Sequence, residues 1–158
     1  MQKIVRKFLI KTLPNLFQLP VIHYKRYFLS KDINKQIRIQ QKGNKYELEE
    51  ITDNLNLVRS SFKKDISKTE FDNLRSTAVG YINRDSYLIS NQPTITIKVY
   101  HDKFEGLARA EVDFESEKEA NNFTPPTWFG LEITNSPLVQ DIKLLDLKAE
   151  DFKKLIEV

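Results

Sequence analysis

The chain has no cysteine in its 158 residues, only two histidines (His23 and His101) and only four glycines. Without cysteine there is no disulfide and no thiolate metal site, and nothing speaks for an oxidising compartment. Two histidines so far apart in sequence argue against an imidazole zinc site, so any metal would be a hard cation on carboxylate oxygens. Long apolar runs are missing too: no stretch approaches the ~20 residues of a membrane span. The apolar run Phe8-Leu9-Ile10 ends at Lys11 and Pro14, too short for a secretory core, and no small-residue cleavage site follows. The expectation is a cytoplasmic protein with no membrane partner.

What is present is ordinary for a folded domain. Hydrophobic residues make up 40% and charged residues 30% of the chain, enough for a core under a solvated surface. The length suits one domain spanning residues 1–158. A formal charge of +3 and a pI near 9.0 suit an anionic small ligand but fall short of a nucleic-acid footprint, and nucleic acid is not an expected partner.

The dominant pattern is alternation, which places successive side chains on opposite faces of a strand. Residues 3–10, 21–29, 35–41, 46–51, 57–66, 79–90, 94–101 and 107–114 read as eight strands. Leu13-Pro14-Asn15-Leu16 reads as a short helical turn, because proline is tolerated at a first helical position. Lys42-Gly43-Asn44-Lys45 reads as a hairpin turn. The spacing of Ser67 and Glu70 before Phe71, Leu74 and Ala78 predicts a capped helix. A second helix runs from Ser116 to Phe123, stopped before Pro125-Pro126, and a terminal helix covers 148–158. Strands joined by short turns imply a largely antiparallel sheet; alternation alone leaves barrel and sandwich open.

Few isolated residues carry chemistry. His101 beside Asp102 has the look of an inert histidine at a strand end, Trp128 reads as a core plug, and Glu47, Glu49 and Glu50 read as a solvated edge. Asp85 and Ser86 have no nucleophile context, and no catalytic residue is nominated.

Several stretches resemble the CYTH superfamily, the triphosphate tunnel metalloenzymes. They are Ile4 to Ile10, Arg26-Tyr27-Phe28-Leu29-Ser30, Ile37-Arg38-Ile39 through Gly43 and Tyr46, and Val99-Tyr100 through Gly106-Leu107. Ala110-Glu111-Val112-Asp113-Phe114 and Pro126-Thr127-Trp128-Phe129-Gly130, with Glu132-Ile133-Thr134, complete the resemblance over roughly residues 2–136. Residues 137–158 diverge from it. The resemblance implies an α+β fold: an eight-stranded antiparallel β tunnel barrel with a few peripheral helices. In active members the tunnel holds magnesium or manganese on acidic side chains and grips a triphosphate with basic ones.

Set on those positions, the acidic residues are depleted. Lys3 and Val5 stand where the opening strand carries two glutamates, Ser61 and Lys63 fall on another acidic pair, and Thr96 and Lys98 on a third. Only Glu111 and Asp113 remain as a pair. Basic positions survive at Lys7, Arg38 and Arg84. A lysine ammonium beside a divalent cation is strongly repelled in a low-dielectric tunnel. The resulting expectation is a catalytically inactive domain with no metal and no cofactor. It would bind a phosphorylated small molecule, a polyphosphate or another anion through Lys3, Lys7, Arg38, Lys63, Arg84 and Lys98, or serve as a structural or partner-binding module. Lys3, Lys63 and Lys98 would pair with Glu111 and Asp113. The alternative is a magnesium- or manganese-dependent triphosphatase, on inorganic, nucleoside or thiamine triphosphate, or an adenylate-cyclase-like enzyme.

Overall fold

The computed structural model of the chain describes residues 4–30, 32, 34–53, 59–134 and 136–157. It contains nine antiparallel strands: β1 Ile4–Ile10, β2 Val21–Phe28, β3 Lys35–Lys42, β4 Lys45–Asp53, β5 Arg59–Asp65, β6 Gly80–Asn91, β7 Thr94–Tyr100, β8 Ala108–Phe114 and β9 Phe129–Glu132. Four helices accompany them: α1 Lys68–Arg75, α2 Glu117–Asn122, α3 Asp141–Leu144 and α4 Ala149–Ile156. The chain divides into two compact units, His23–Asn83 and Met1–Ile22 with Arg84–Val158.

The unit His23–Asn83 is built on the strand run β5-β4-β3-β2. Gly43 closes the β3–β4 hairpin at φ 60, a conformation glycine adopts without strain. The capping box is formed as the spacing predicts: the Ser67 side chain accepts from the Glu70 amide, and the Glu70 side chain accepts from the Ser67 amide. That start fixes α1 so that Phe71, its one buried residue, meets Tyr46 and Tyr27 with ring centroids 5.0 and 5.7 Å away. Tyr27 also stacks on Tyr81 at 4.6 Å.

The other unit contains the strand run β6-β7-β8-β1-β9. Alternation gives β8 and β1 two unlike faces. Phe8, Ile95, Ala110, Val112 and Phe114 form a dry core with Ala120 and Phe129, against which Phe123 and Trp128 pack. Trp128 therefore sits against the core, as its neighbours suggest. Arg6 clasps this face: it donates to both carboxylate oxygens of Glu132, at 3.1 and 2.7 Å, and to the Ala120 carbonyl at 2.8 Å. One guanidinium so ties β1, β9 and α2 together. The intervening residues Lys7, Arg109 and Glu111 lie on the opposite face, with Lys7 paired to Glu111 across β1 and β8.

Three local expectations are corrected. Residues 13–16 form no helical turn; Asn15 instead accepts from the Phe17 amide at 3.0 Å, and Gln18 sits at φ 66. An asparagine side chain competing for backbone donors favours such a turn over a helix. The strand β9 was not expected, since four residues show no clear alternation; it pairs with β1. Neither was α3, which buries Ile142 and Leu144 in only four residues. Lys3 and residues 57–58 lie outside the described residues.

Candidate functional site

The polar face of β1, β7 and β8 gathers a buried ionic cluster. Its cations come from strands: Lys7 on β1, Arg84 on β6 and Arg109 on β8. Arg109 is 2% exposed and Arg84 7%. Their partners come from β7, β8 and residues 137–144. Arg109 donates to the Leu138 carbonyl at 2.5 Å and to Asp141 Oδ1 at 3.2 Å. Arg84 Nη1 lies 3.1 Å from Asp141 Oδ2 and donates to the Tyr100 hydroxyl at 3.1 Å. Tyr100 in turn donates to Asp141 Oδ1 at 2.5 Å. Lys7 Nζ donates to the Val139 carbonyl at 2.9 Å. Thus a single carboxylate, Asp141, receives two guanidinium groups and a phenol.

Glu111 is the second carboxylate of the cluster. Lys7 Nζ and Arg109 Nη2 each lie 3.7 Å from it. Burial pushes its carboxyl pKa up, but Arg109, Lys7 and Arg84 outweigh burial and hold it at about 2. Burial likewise opposes the charge of Arg84, and Asp141 overrides it to raise that pKa. The Lys7 ammonium goes the other way: burial lowers its pKa despite Glu111. Burial raises the Tyr100 pKa, keeping the phenol protonated as a donor to Asp141.

The unit His23–Asn83 holds a second ionic set. Arg38 Nε donates to Glu49 Oε1 at 2.6 Å, Ser61 Oγ donates to Glu49 Oε2 at 3.0 Å, and Lys63 Nζ lies 3.6 Å from the same oxygen. Beside them Arg26 donates twice to Gln40 Oε1, at 3.0 and 2.8 Å, and Gln40 donates to Glu47. Glu49 is only 4% exposed, which corrects its reading as part of a solvated edge. Burial pushes its pKa up, and Arg38 more than reverses that.

These placements sort the sequence candidates. Lys7 and Arg84 meet in the first cluster. Lys98 donates to Ser86 at 2.7 Å and adds its field to Glu111. Arg38 and Lys63 belong to Glu49, so the expected pairing of Lys63 with Glu111 and Asp113 is replaced by pairing to the adjacent strand. Arg109, Tyr100 and Asp141 were missed. Arg109 had a signal, since Arg109, Glu111 and Asp113 alternate on one strand face; Asp141 lies in the divergent segment. His101 meets Asp85 at 2.8 Å.

No protein-family model matches the chain. An inorganic triphosphatase from Nitrosomonas europaea is 28% identical to it over 138 residues, which is 85% of this chain and 90% of that protein. A solved inorganic triphosphatase superposes with a TM-score of 0.76 at 24% identity, covering 93% of this chain and 97% of that one. The chain has the CYTH tunnel fold, and its likeness to the triphosphatase runs along most of both chains. A putative adenylate cyclase from Bacillus halodurans shares the CYTH fold at a TM-score of 0.51 and 16% identity, over 77% of this chain and 86% of that one.

The expectation of an inactive domain is overturned here. The protein that this chain matches along most of both lengths is an inorganic triphosphatase. Depletion of acidic positions was the reason for that expectation, and Arg109 was not counted among the basic residues beside Lys7 and Arg84. Among the described residues, no helix is long and apolar enough to cross a membrane.

Proposed function

We propose that the chain is a phosphoanhydride hydrolase acting on inorganic triphosphate or a triphosphate-bearing molecule. The observation that carries this reading is the likeness to an inorganic triphosphatase over 85% of the chain. The buried cluster of Lys7, Arg84 and Arg109 supports it, because a phosphate chain calls for converging positive donors. Phosphoryl transfer to water asks the protein mainly to align the reactants and to neutralise charge on the transferring group. Guanidinium groups held in a fixed fork suit that task. Glu111 stays ionised at neutral pH, and at a pKa of about 2 it is too weak a base to take a proton from water; it sets the position of Lys7 and Arg109.

Magnesium or manganese is what the CYTH resemblance implies. The carboxylates described here do not fit a preformed site for either ion. Asp141 is engaged by Arg84, Arg109 and Tyr100, and Glu111 faces Lys7 and Arg109. Among the described residues no three acidic or histidine side chains come together as a metal would need.

Phosphate release from inorganic triphosphate, ATP and thiamine triphosphate, with magnesium or manganese in the buffer, tests the reading. Turnover of at least one substrate is expected, falling at least 100-fold in Arg84→Ala. Release no faster than from buffer with all three substrates would overturn it.

A further inference from the structure

We propose that β5 is a docking edge for a second copy of this chain, the two β5 strands pairing antiparallel about Phe62 into a symmetric dimer. This pairing does not depend on the hydrolase activity.

Among the described strands β5 stands at one end of the order and is hydrogen-bonded to β4 alone. Ile66 donates its amide to the Tyr46 carbonyl at 3.0 Å, in step with the register that sets Glu47 opposite Asp65. Backbone groups along a strand turn alternately to its two sides. The amides of Phe62 and Lys64 therefore turn towards β4, and those of Ser61, Lys63 and Asp65 turn away from it. A row of free donors and acceptors is a template for another strand. Residues 61–65 are all exposed, and Phe62 is 60% exposed.

Charge decides what such an edge accepts, and β5 complements itself. It reads Arg59-Ser60-Ser61-Phe62-Lys63-Lys64-Asp65. An antiparallel copy centred on Phe62 sets Phe62 against the second copy's Phe62, Ser61 against its Lys63, Ser60 against its Lys64 and Arg59 against its Asp65. Residues of opposite charge thus meet twice, and no two cations stand directly opposed. The outward groups of Ser61, Lys63 and Asp65 fall in the hydrogen-bonded pairs. The two Phe62 residues then form a non-hydrogen-bonded pair, in which side chains come closest, and an aromatic pair there adds to the contact. Moving the centre by one residue either way sets Lys63 against Lys63 or against Arg59, which like-charge repulsion disfavours. Lysines on an edge ordinarily discourage pairing; here they leave one register open. An isologous contact of this kind closes at two copies.

The test is light scattering behind size exclusion on the full chain through the micromolar range. The mass is expected to rise from 18.6 kDa towards twice that value. Asp65→Arg sets two arginine positions against each other and is expected to hold the mass at one copy; adding Arg59→Asp exchanges the charges and is expected to restore the dimer. Because the chain has no cysteine, a single one reports the register. Phe62→Cys should form a disulfide-linked dimer in oxidised glutathione, whereas Lys64→Cys, four residues out of step with its counterpart, should not. A mass of one copy at every concentration would overturn the proposal. So would a dimer that Asp65→Arg leaves unchanged, one that links as readily through Lys64→Cys as through Phe62→Cys, or growth beyond two copies.

Discussion

The two buried ionic sets are made of similar residues and built in different ways. Around Glu49 every partner comes from a neighbouring strand: Arg38 on β3 and Lys63 on β5 flank it directly in the ladder, and Ser61 reaches it from two residues along β5. Around Asp141 the cations also sit on strands, but the carboxylate comes from a segment 57 residues beyond Arg84 and 32 beyond Arg109. The first set is completed when the sheet forms. The second needs a separate piece of chain to dock, and that piece supplies Leu138 and Val139 carbonyls as well as Asp141. A charge cluster inside a ladder is thus part of the sheet, whereas one closed by a distant segment is a joint.

The largest expected effect follows at that joint. Asp141→Ala strands two buried guanidinium groups, and removing one partner of a buried ion cluster costs about 3–5 kcal/mol. Urea unfolding of the variant should show a loss of that order. A loss below 1 kcal/mol would mean that water already satisfies Arg84 and Arg109, and the contrast between the two sets would collapse. Glu49→Gln should cost less, about 1–3 kcal/mol, because the amide oxygen can still accept from Arg38 on the adjacent strand. If it proved costlier than Asp141→Ala, the ladder set would be the more demanding of the two.

The smallest effect is a pH slope. Glu111 has a folded pKa of about 2 against an ordinary 4.5, a depressed carboxyl. Its contribution to stability is present above about pH 4.5 and is lost as the pH falls towards 2. Urea midpoints taken between pH 5 and pH 3 should therefore decline more steeply in the wild type than in Glu111→Gln. Glu49, also depressed, acts equally in both proteins and cancels from the comparison. Parallel slopes would show that Lys7 and Arg109 do not hold the carboxyl down.

Much of the sheet was legible because alternation is a local signal. The hairpin at Gly43 and the box formed by Ser67 and Glu70 were legible for the same reason, each needing only a few neighbouring residues. Lys7 and Arg84 could be nominated because they sit on strands that alternation and the CYTH resemblance both located. Asp141 could not, since its role depends on a contact that no local pattern encodes. Glu49 was misread because three glutamates in four positions look like a wet surface, and only the register with Arg38 and Lys63 shows the middle one buried. The inactive reading rested on losses of acidic residues tallied strand by strand, and what overturns it is the likeness to an inorganic triphosphatase along most of the chain.

The docking of residues 137–144 on Arg84 and Arg109 also bears on how the protein is made. Synthesis runs from the N-terminus, so all the strands leave the ribosome before Asp141 does. Until then neither guanidinium has its carboxylate partner, whereas the residues that pack on the Phe8 and Val112 face, up to Phe129, are already present. The two sides of one strand therefore depend on different lengths of chain, the apolar side on residues up to Phe129 and the charged side on residues up to Asp141.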